Sequence, residues 1–307
     1  MFDVCVALIP ALLAGIYFFG FRSLFIVIIC VISCVISEFL FELLAKRPIT
    51  TNDLSAMVTG MLLGLTLPVT VPWWICVIGS VFAIVLVKQL FGGIGDNFLN
   101  PALTARAVLL ASWPARLSGS AFVNPSPLFL KPVDMVTTAT PLSALEEGGL
   151  DGVSILDMLL GNIAGSIGEV CKVAIILGFV YLLIRKVITW HIPVIVTAAT
   201  ALFSFLFNWI ITKDCDFTVL LTSVLTGGVL FGAVFMATDY TTTPMTLKGR
   251  VIFALGTGLL IAVIRYFGGY PEGVTYAILF MNIVTPLIDK YIKPKVYGAV
   301  KEVKKHA

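Results

Sequence analysis

The sequence predicts an all-α polytopic membrane protein of about ten transmembrane helices, in two inverted five-helix repeats flanking a long extracytoplasmic segment. Three observations carry this prediction. The 307 residues are 59% hydrophobic and 12% charged, with a mean hydropathy of +1.05, whereas soluble domains carry roughly 25% charged residues. Apolar runs of the length that crosses a hydrocarbon core about 30 Å thick recur along the chain. The two halves also share short patterns centred on Gly and Pro.

In chain order, apolar stretches between polar or Gly/Pro punctuation give five expected spans: Phe2 to Phe19, Leu24 to Leu44, Leu54 to Leu67, Trp73 to Leu90, and Phe98 to Trp113. The third and fifth are short. A polar segment runs from Pro114 to about Asp157, and five more spans follow: Val170 to Ile184, His191 to Ile211, Phe217 to Ala237, Val251 to Phe267, and Val274 to Tyr291. The expected divisions are a first repeat over 1–113, an extracytoplasmic segment over 114–169, a second repeat over 170–292 and a basic cytoplasmic tail over 293–307. The first apolar run begins at Phe2 without a basic region or a small-residue cleavage site, so no cleavable signal peptide is expected.

Lysine and arginine set the expected orientation, because cytoplasmic loops carry an excess of them. With both termini in the cytoplasm, Lys46, Arg47, Lys88, Arg185, Lys186, Lys248, Arg250 and the six lysines from Lys290 to Lys305 lie inside, thirteen in all. Arg22, Arg116, Lys131, Lys172, Lys213 and Arg265 lie outside, six in all, and Arg106 falls within a span. The basic tail is therefore read as a topology signal, and no nucleic-acid partner is expected. The segment after Pro114 faces outside in this orientation.

The patterns shared by the halves are Thr59-Gly60 with Thr226-Gly227, and Phe91-Gly92-Gly93 with Phe267-Gly268-Gly269. Each Gly-Gly pair leads into a span holding an Asn and a Pro, Asn100-Pro101 in one and Asn282 with Pro286 in the other. Units of five spans insert in opposite directions, which makes the repeat inverted. Such folds place their functional groups where short or Gly/Pro-broken segments approach the midplane.

Metal chemistry has little sequence support. Cys5, Cys30, Cys34, Cys76, Cys171 and Cys215 lie in or beside apolar runs without a CxxC pair, and read as buried thiols. Cys30 and Cys34 sit one helical turn apart, a spacing that would suit a metal shared with another subunit. His191 and His306 are the two histidines, and His306 is in the tail, so a haem with two histidine ligands is not expected. The acidic residues Glu38, Glu42, Asp96, Glu169, Asp239, Glu272 and Asp289 lie near the membrane, where such groups often handle cations. Most fall at expected helix ends, where water is within reach. Inside its span, Arg106 needs a partner, and a phosphate or hydroxyl-bearing chain of a bound cofactor, or a carboxylate, would each serve.

The most informative stretch is Asp134-Met135-Val136-Thr137-Thr138-Ala139-Thr140-Pro141-Leu142. Pro141 disfavours helix at Thr140 and presents its hydroxyl on extended backbone, open to a modifying enzyme. The stretch resembles the flavinylation motif Asp-x-x-Ser/Thr-small-Ala-Thr, whose final threonine receives FMN through a phosphoester from a flavin transferase. Asp134, Thr137, Thr138, Ala139 and Thr140 fill the specified positions, with Thr138 where glycine is often found.

Further stretches carry a family resemblance almost end to end: Phe91-Gly92-Gly93, Asn100-Pro101-Ala102-Leu103-Thr104-Ala105-Arg106, Gly165-Ser166-Ile167-Gly168-Glu169, Ala237-Thr238-Asp239-Tyr240, and Tyr270-Pro271-Glu272-Gly273 through Asn282 to Asp289. They resemble the membrane-subunit family that includes the D subunit of the Rnf complex and the B subunit of the sodium-pumping NADH:quinone reductase. The short N-terminal part favours the Rnf type. The resemblance implies an electron-transfer subunit with covalent FMN on Thr140, in a complex that couples electron flow from reduced ferredoxin to NAD with Na⁺ or H⁺ movement. It also implies a second, non-covalent flavin, riboflavin, near Gly92, Gly93 and Asn100 on the cytoplasmic side. The implied partners are the other Rnf subunits, especially the FMN-carrying G subunit and the membrane A and E subunits, with a flavin transferase for maturation. A channel without redox activity is the rival class, because Asn100-Pro101-Ala102 is the tripeptide of aquaporin-type half-helices. The matching region of the other half, Asn282-Ile283-Val284-Thr285-Pro286, lacks it.

Overall fold

The computed structural model describes residues 1–125, 154–213, 217–268 and 272–293. Every regular element among them is helical. Helix α1 (Phe2–Phe19) turns directly into α2 (Phe21–Leu44) through Gly20, whose φ of 76° a residue with a side chain rarely adopts. Next come α3 (Ser55–Leu65), α4 (Trp73–Val81) with its π-helical continuation Phe82–Gln89, α5 (Pro101–Ser112) and the single turn α6 (Pro114–Leu117). Beyond 153 lie α7 (Ile155–Leu160), α8 (Lys172–Ile184), α9 (His191–Thr212), α10 (Thr218–Leu225), α11 (Val229–Phe231) continuing as the π-helical Gly232–Met236, α12 (Leu247–Phe267) and α13 (Val274–Tyr291).

Helices occupy each of the ten apolar stretches, but they are not ten equivalent spans. Four, α1, α2, α9 and α12, are long and apolar enough to cross a membrane, and the bent pair α10–α11 makes a fifth candidate. The chain is thus a multi-pass helical membrane protein. Helix α3 has 11 residues, about 16 Å at 1.5 Å per residue, too short for a core about 30 Å thick. The expected continuous span from Phe217 to Ala237 is corrected by the structure, which breaks it and bends the two parts by 65°. The physical reason is Thr226-Gly227-Gly228, where Thr226 is extended and Gly227 takes a φ of 64°, so the helical ladder cannot continue.

Short helices survive at the centre because their neighbours cover them. All but one residue of α3 are buried. It lies against α2 through Gly60 and Gly64, one helical turn apart: a Cβ on Gly60 would stand 2.6 Å from Val31 Cα, and one on Gly64 2.9 Å from Val27 Cα. Small residues at that spacing let two backbones meet, which is how helices gain packing energy where lipid removes the hydrophobic incentive. In the second half Gly258 of α12 meets Ala199 and Thr200 of α9 in the same way. Leu8, Leu63, Leu65, Ile75, Phe231 and Phe253 fill the interior, while Phe25, Ile32, Leu43, Ile210 and Leu255 are exposed on the outer faces. An apolar exterior suits a hydrocarbon solvent. Four of the five described cysteines are buried, and all five are free.

Candidate functional site

Two polar constellations are buried among these helices. The first joins the short helices of the two halves. Arg106, on α5 and 6% exposed, donates Nη1 to Glu169 Oε1 at 2.9 Å and Nη2 to Glu272, just ahead of α13. Lys172, at the start of α8 and 1% exposed, donates to the carbonyls of Glu169 and Gly227, the latter at 3.3 Å. Arg265, in the last turn of α12, donates to the carbonyls of Ser223 and Thr226, the latter at 3.1 Å. Three cations therefore face two carboxylates. The open carbonyls where α10 ends supply further negative character, since a helix C-terminus carries roughly half an elementary negative charge. A methyl group on Gly228 would overlap the Glu169 carboxylate, so the break and the ion pair occupy one another's space.

The second constellation surrounds a cavity of about 160 Å³. Its polar wall includes Ser55, Lys88, Asn97, Asn100, Asp239 and Thr241, and its apolar wall includes Val58, Leu62, Val234 and Phe235. Lys88, 3% exposed, donates to Glu38 of α2 and Ser55 of α3. Its neighbour Gln89 reaches the same carboxylate at 2.8 Å and Glu42 at 3.3 Å. Adjacent residues of an α-helix do not share a face; the wider π turn at the end of α4 brings both to α2. Glu42 in turn accepts from the Thr50 N–H at 3.0 Å and from its hydroxyl.

The loop between α4 and α5 forms another side of the cavity. Gly92, Gly93 and Gly95 adopt φ of 127°, 105° and 97°, the left-handed region in which glycine is tolerated. Asn97 ties this loop to the other half, donating to Thr241 Oγ1 at 3.3 Å. Asn100 caps α5: its side-chain oxygen accepts from the N–H groups of Ala102 and Leu103 at 3.1 and 3.3 Å, and Pro101 takes the first helical position. Asp239 accepts from the Thr241 N–H at 3.2 Å and hydroxyl at 3.0 Å, while burial pushes its carboxyl above the usual carboxylate range.

Of the sequence-derived site residues, Asp134, Thr137, Thr138, Ala139 and Thr140 lie outside the described residues. Asn100 lines the cavity; Gly92 and Gly93 belong to the same loop without lining it. Arg106 lies elsewhere, on two carboxylates. Water-exposed helix ends were expected for the acidic groups, yet Glu38, Glu42 and Glu169 are 0%, 2% and 3% exposed. Sequence reasoning also counted Lys88, Lys172 and Arg265, near the ends of their expected spans, among the charges that face one side of the membrane or the other, whereas all three are buried. For Lys88 the missed signal was Glu38 and Glu42 one turn apart inside an apolar run, which call for a cation nearby.

Short helices pinned by buried ion pairs, beside a half-polar cavity in an apolar-faced bundle, define a helical membrane protein built around internal polar sites. The chain belongs to the NQR2, RnfD, RnfE family, whose model matches residues 1–298. It is 47% identical to the D subunit of the Na(+)-translocating ferredoxin:NAD(+) oxidoreductase complex of Acetobacterium woodii, covering 100% of this chain and 92% of that one. It is 43% identical to the D subunit of the proton-translocating ferredoxin:NAD(+) oxidoreductase complex of Clostridium ljungdahlii, over 97% of this chain and 91% of that one. The D subunit of the ion-translocating oxidoreductase complex of Halorhodospira halophila is 37% identical, over 97% of this chain and 90% of that one.

Proposed function

We propose that this chain is the D-type subunit of an ion-translocating ferredoxin:NAD oxidoreductase, and that it passes electrons through FMN bonded covalently to Thr140. The observation that carries this reading is the full-length similarity to the D subunit of the A. woodii complex. The Asp134 to Thr140 motif supplies the attachment point. The family description also spans NQR2, the quinone-reductase type, but two relatives matched over nine-tenths of their length are named for ferredoxin:NAD complexes. A passive pore gains no support from those names. The names differ in the ion moved, sodium in one and protons in another, and both remain within the proposal.

On this reading the subunit lies in a bacterial or archaeal cytoplasmic membrane, its ten helical segments, some too short to cross alone, arranged as two inverted repeats, with both termini in the cytoplasm and Thr140 outside. Setting aside the buried Lys88, Lys172 and Arg265, the lysine and arginine balance still favours this orientation, at twelve inside to four outside. Partners are the G subunit, which carries its own FMN, the membrane A and E subunits, a flavin transferase and membrane lipid.

A second, non-covalent flavin, riboflavin, is proposed for the cavity beside the Gly92–Gly93 loop and Asn100. The residues fit such a group: an apolar slot, amide and hydroxyl side chains, and an ammonium at one wall. Flavins supply the electron transfer, while this chain's residues bind the ring, keep water from it and set the charge around it.

The test is ultraviolet fluorescence of the denatured chain in a gel, made alongside an active flavin transferase. A fluorescent band at the chain's 33.1 kDa, abolished by Thr140→Val, is expected. An unmodified peptide over Asp134 to Leu142 in mass spectrometry would remove the covalent assignment.

A further inference from the structure

We propose that Lys88 sets the reduction potential of the flavin held in the cavity, through the positive charge of its ammonium; this rests on the second-flavin reading. Lys88 is the one cationic side chain among the cavity's lining residues. An ammonium has three N–H donors, and Glu38 and Ser55 take two of them, leaving one for an occupant. The side chain is 3% exposed and Glu38 0%, so water screens the charge weakly and its field reaches the cavity.

The local architecture holds this charge in place. Glu38 pairs with the lysine and accepts from Gln89 at 2.8 Å, and Gln89 links onward to Glu42. The π-helical end of α4 brings Lys88 and Gln89 together on α2. A lysine needed only to join α4 to α2 would not have to line the cavity. Asp239, on the same lining, is the opposing charge.

Reduction brings electrons onto the isoalloxazine from carriers of the ferredoxin-to-NAD chain, and they leave to the next carrier. Any electron that arrives ahead of its proton puts negative charge on the ring. A fixed ammonium stabilises that form over the oxidised one and raises the potential; Lys88 itself gives up no proton and is unchanged at the end.

The test uses the full chain carrying Thr140→Val, so that the non-covalent flavin is the only one present, purified in detergent and titrated spectroelectrochemically. Lys88→Met combined with Glu38→Gln removes both charges and strands neither, which preserves folding better than either change alone. At the potential where the parent is half reduced, the double variant should show a reduced-to-oxidised ratio at least tenfold lower, equivalent to about 30 mV for a two-electron couple. Lys88→Arg, which keeps the charge, should stay near the parent. A double variant that retains flavin at the parent potential overturns the role of Lys88, as does loss of flavin from Lys88→Arg and the double variant alike, which would make the pair a shape requirement. Absence of flavin from the Thr140→Val parent overturns the second-flavin reading itself, and is seen before any Lys88 variant is made.

Discussion

Replacing Arg106 with methionine keeps most of the side-chain volume and removes the charge that two glutamates share. Removing one partner from a buried ion pair costs about 3–5 kcal/mol, because the remaining charge stays desolvated. Two carboxylates lose their partner here, but they do not lose equally: the Glu169 side chain is 4% exposed and Glu272 18%. Water relieves Glu272 in part, and the Lys172 ammonium lies at the Glu169 carbonyl. The expected total therefore stays near 3–5 kcal/mol and does not double. At about 2–4 °C per kcal/mol for a large domain, the melting temperature should fall by roughly 6–20 °C. Thermal unfolding in detergent, followed by tryptophan fluorescence, reads the change. Adding Glu169→Gln to Arg106→Met should recover more than half of the loss, since the stranded charge is then gone. A single variant within about 1 kcal/mol of the parent would refute this account, because the buried carboxylates would then have another source of compensation.

Two further outcomes are expected. Gly60→Val should force α2 and α3 apart, because its Cβ would come within 2.6 Å of Val31 Cα; a loss of about 1–3 kcal/mol in the same unfolding assay is expected from overpacking. Asp239 has its carboxyl pKa raised by burial, so the folded chain binds this proton more tightly than the unfolded one. Its stabilising contribution is complete below the ordinary value of 3.8 and is lost as pH rises through the folded-state value. Asp239→Asn should accordingly raise the melting temperature at pH 7 and flatten the decline above about pH 4; an unchanged pH profile would exclude the effect.

Much of the helix layout was legible because bilayer solvent leaves long apolar runs bounded by polar or Gly/Pro residues. Phe2–Phe19 and Val274–Tyr291 start and stop where those boundaries lie. The break in Phe217 to Ala237 was missed because hydropathy records how apolar a segment is, not whether it stays straight; Thr226-Gly227-Gly228 was the available signal. Partner choice was less legible still. Arg106 was known to need something, and a carboxylate was one option, but its partners lie 63 and 166 residues away. The glutamates looked solvated because a position at a helix end says nothing about what other helices cover it. Lys88, near the end of its span, was counted as a cytoplasmic-side charge for the same reason. The cavity's walls come from α1, α3, α4, α8, the π-helical continuation of α11 and the loops before α5 and α12, and no single stretch of sequence shows them as neighbours.

The broken helix α10 carries a consequence for how its ionic neighbours respond to motion. The carbonyls at the end of α10 accept from both Lys172 and Arg265, and these bonds hold only while the chain stays unwound at Thr226. Straightening the segment would pull its carbonyls into helical bonds and withdraw those acceptors from two buried cations. Any rearrangement of this part of the membrane domain must therefore move the α10 end, Lys172 and Arg265 as one body.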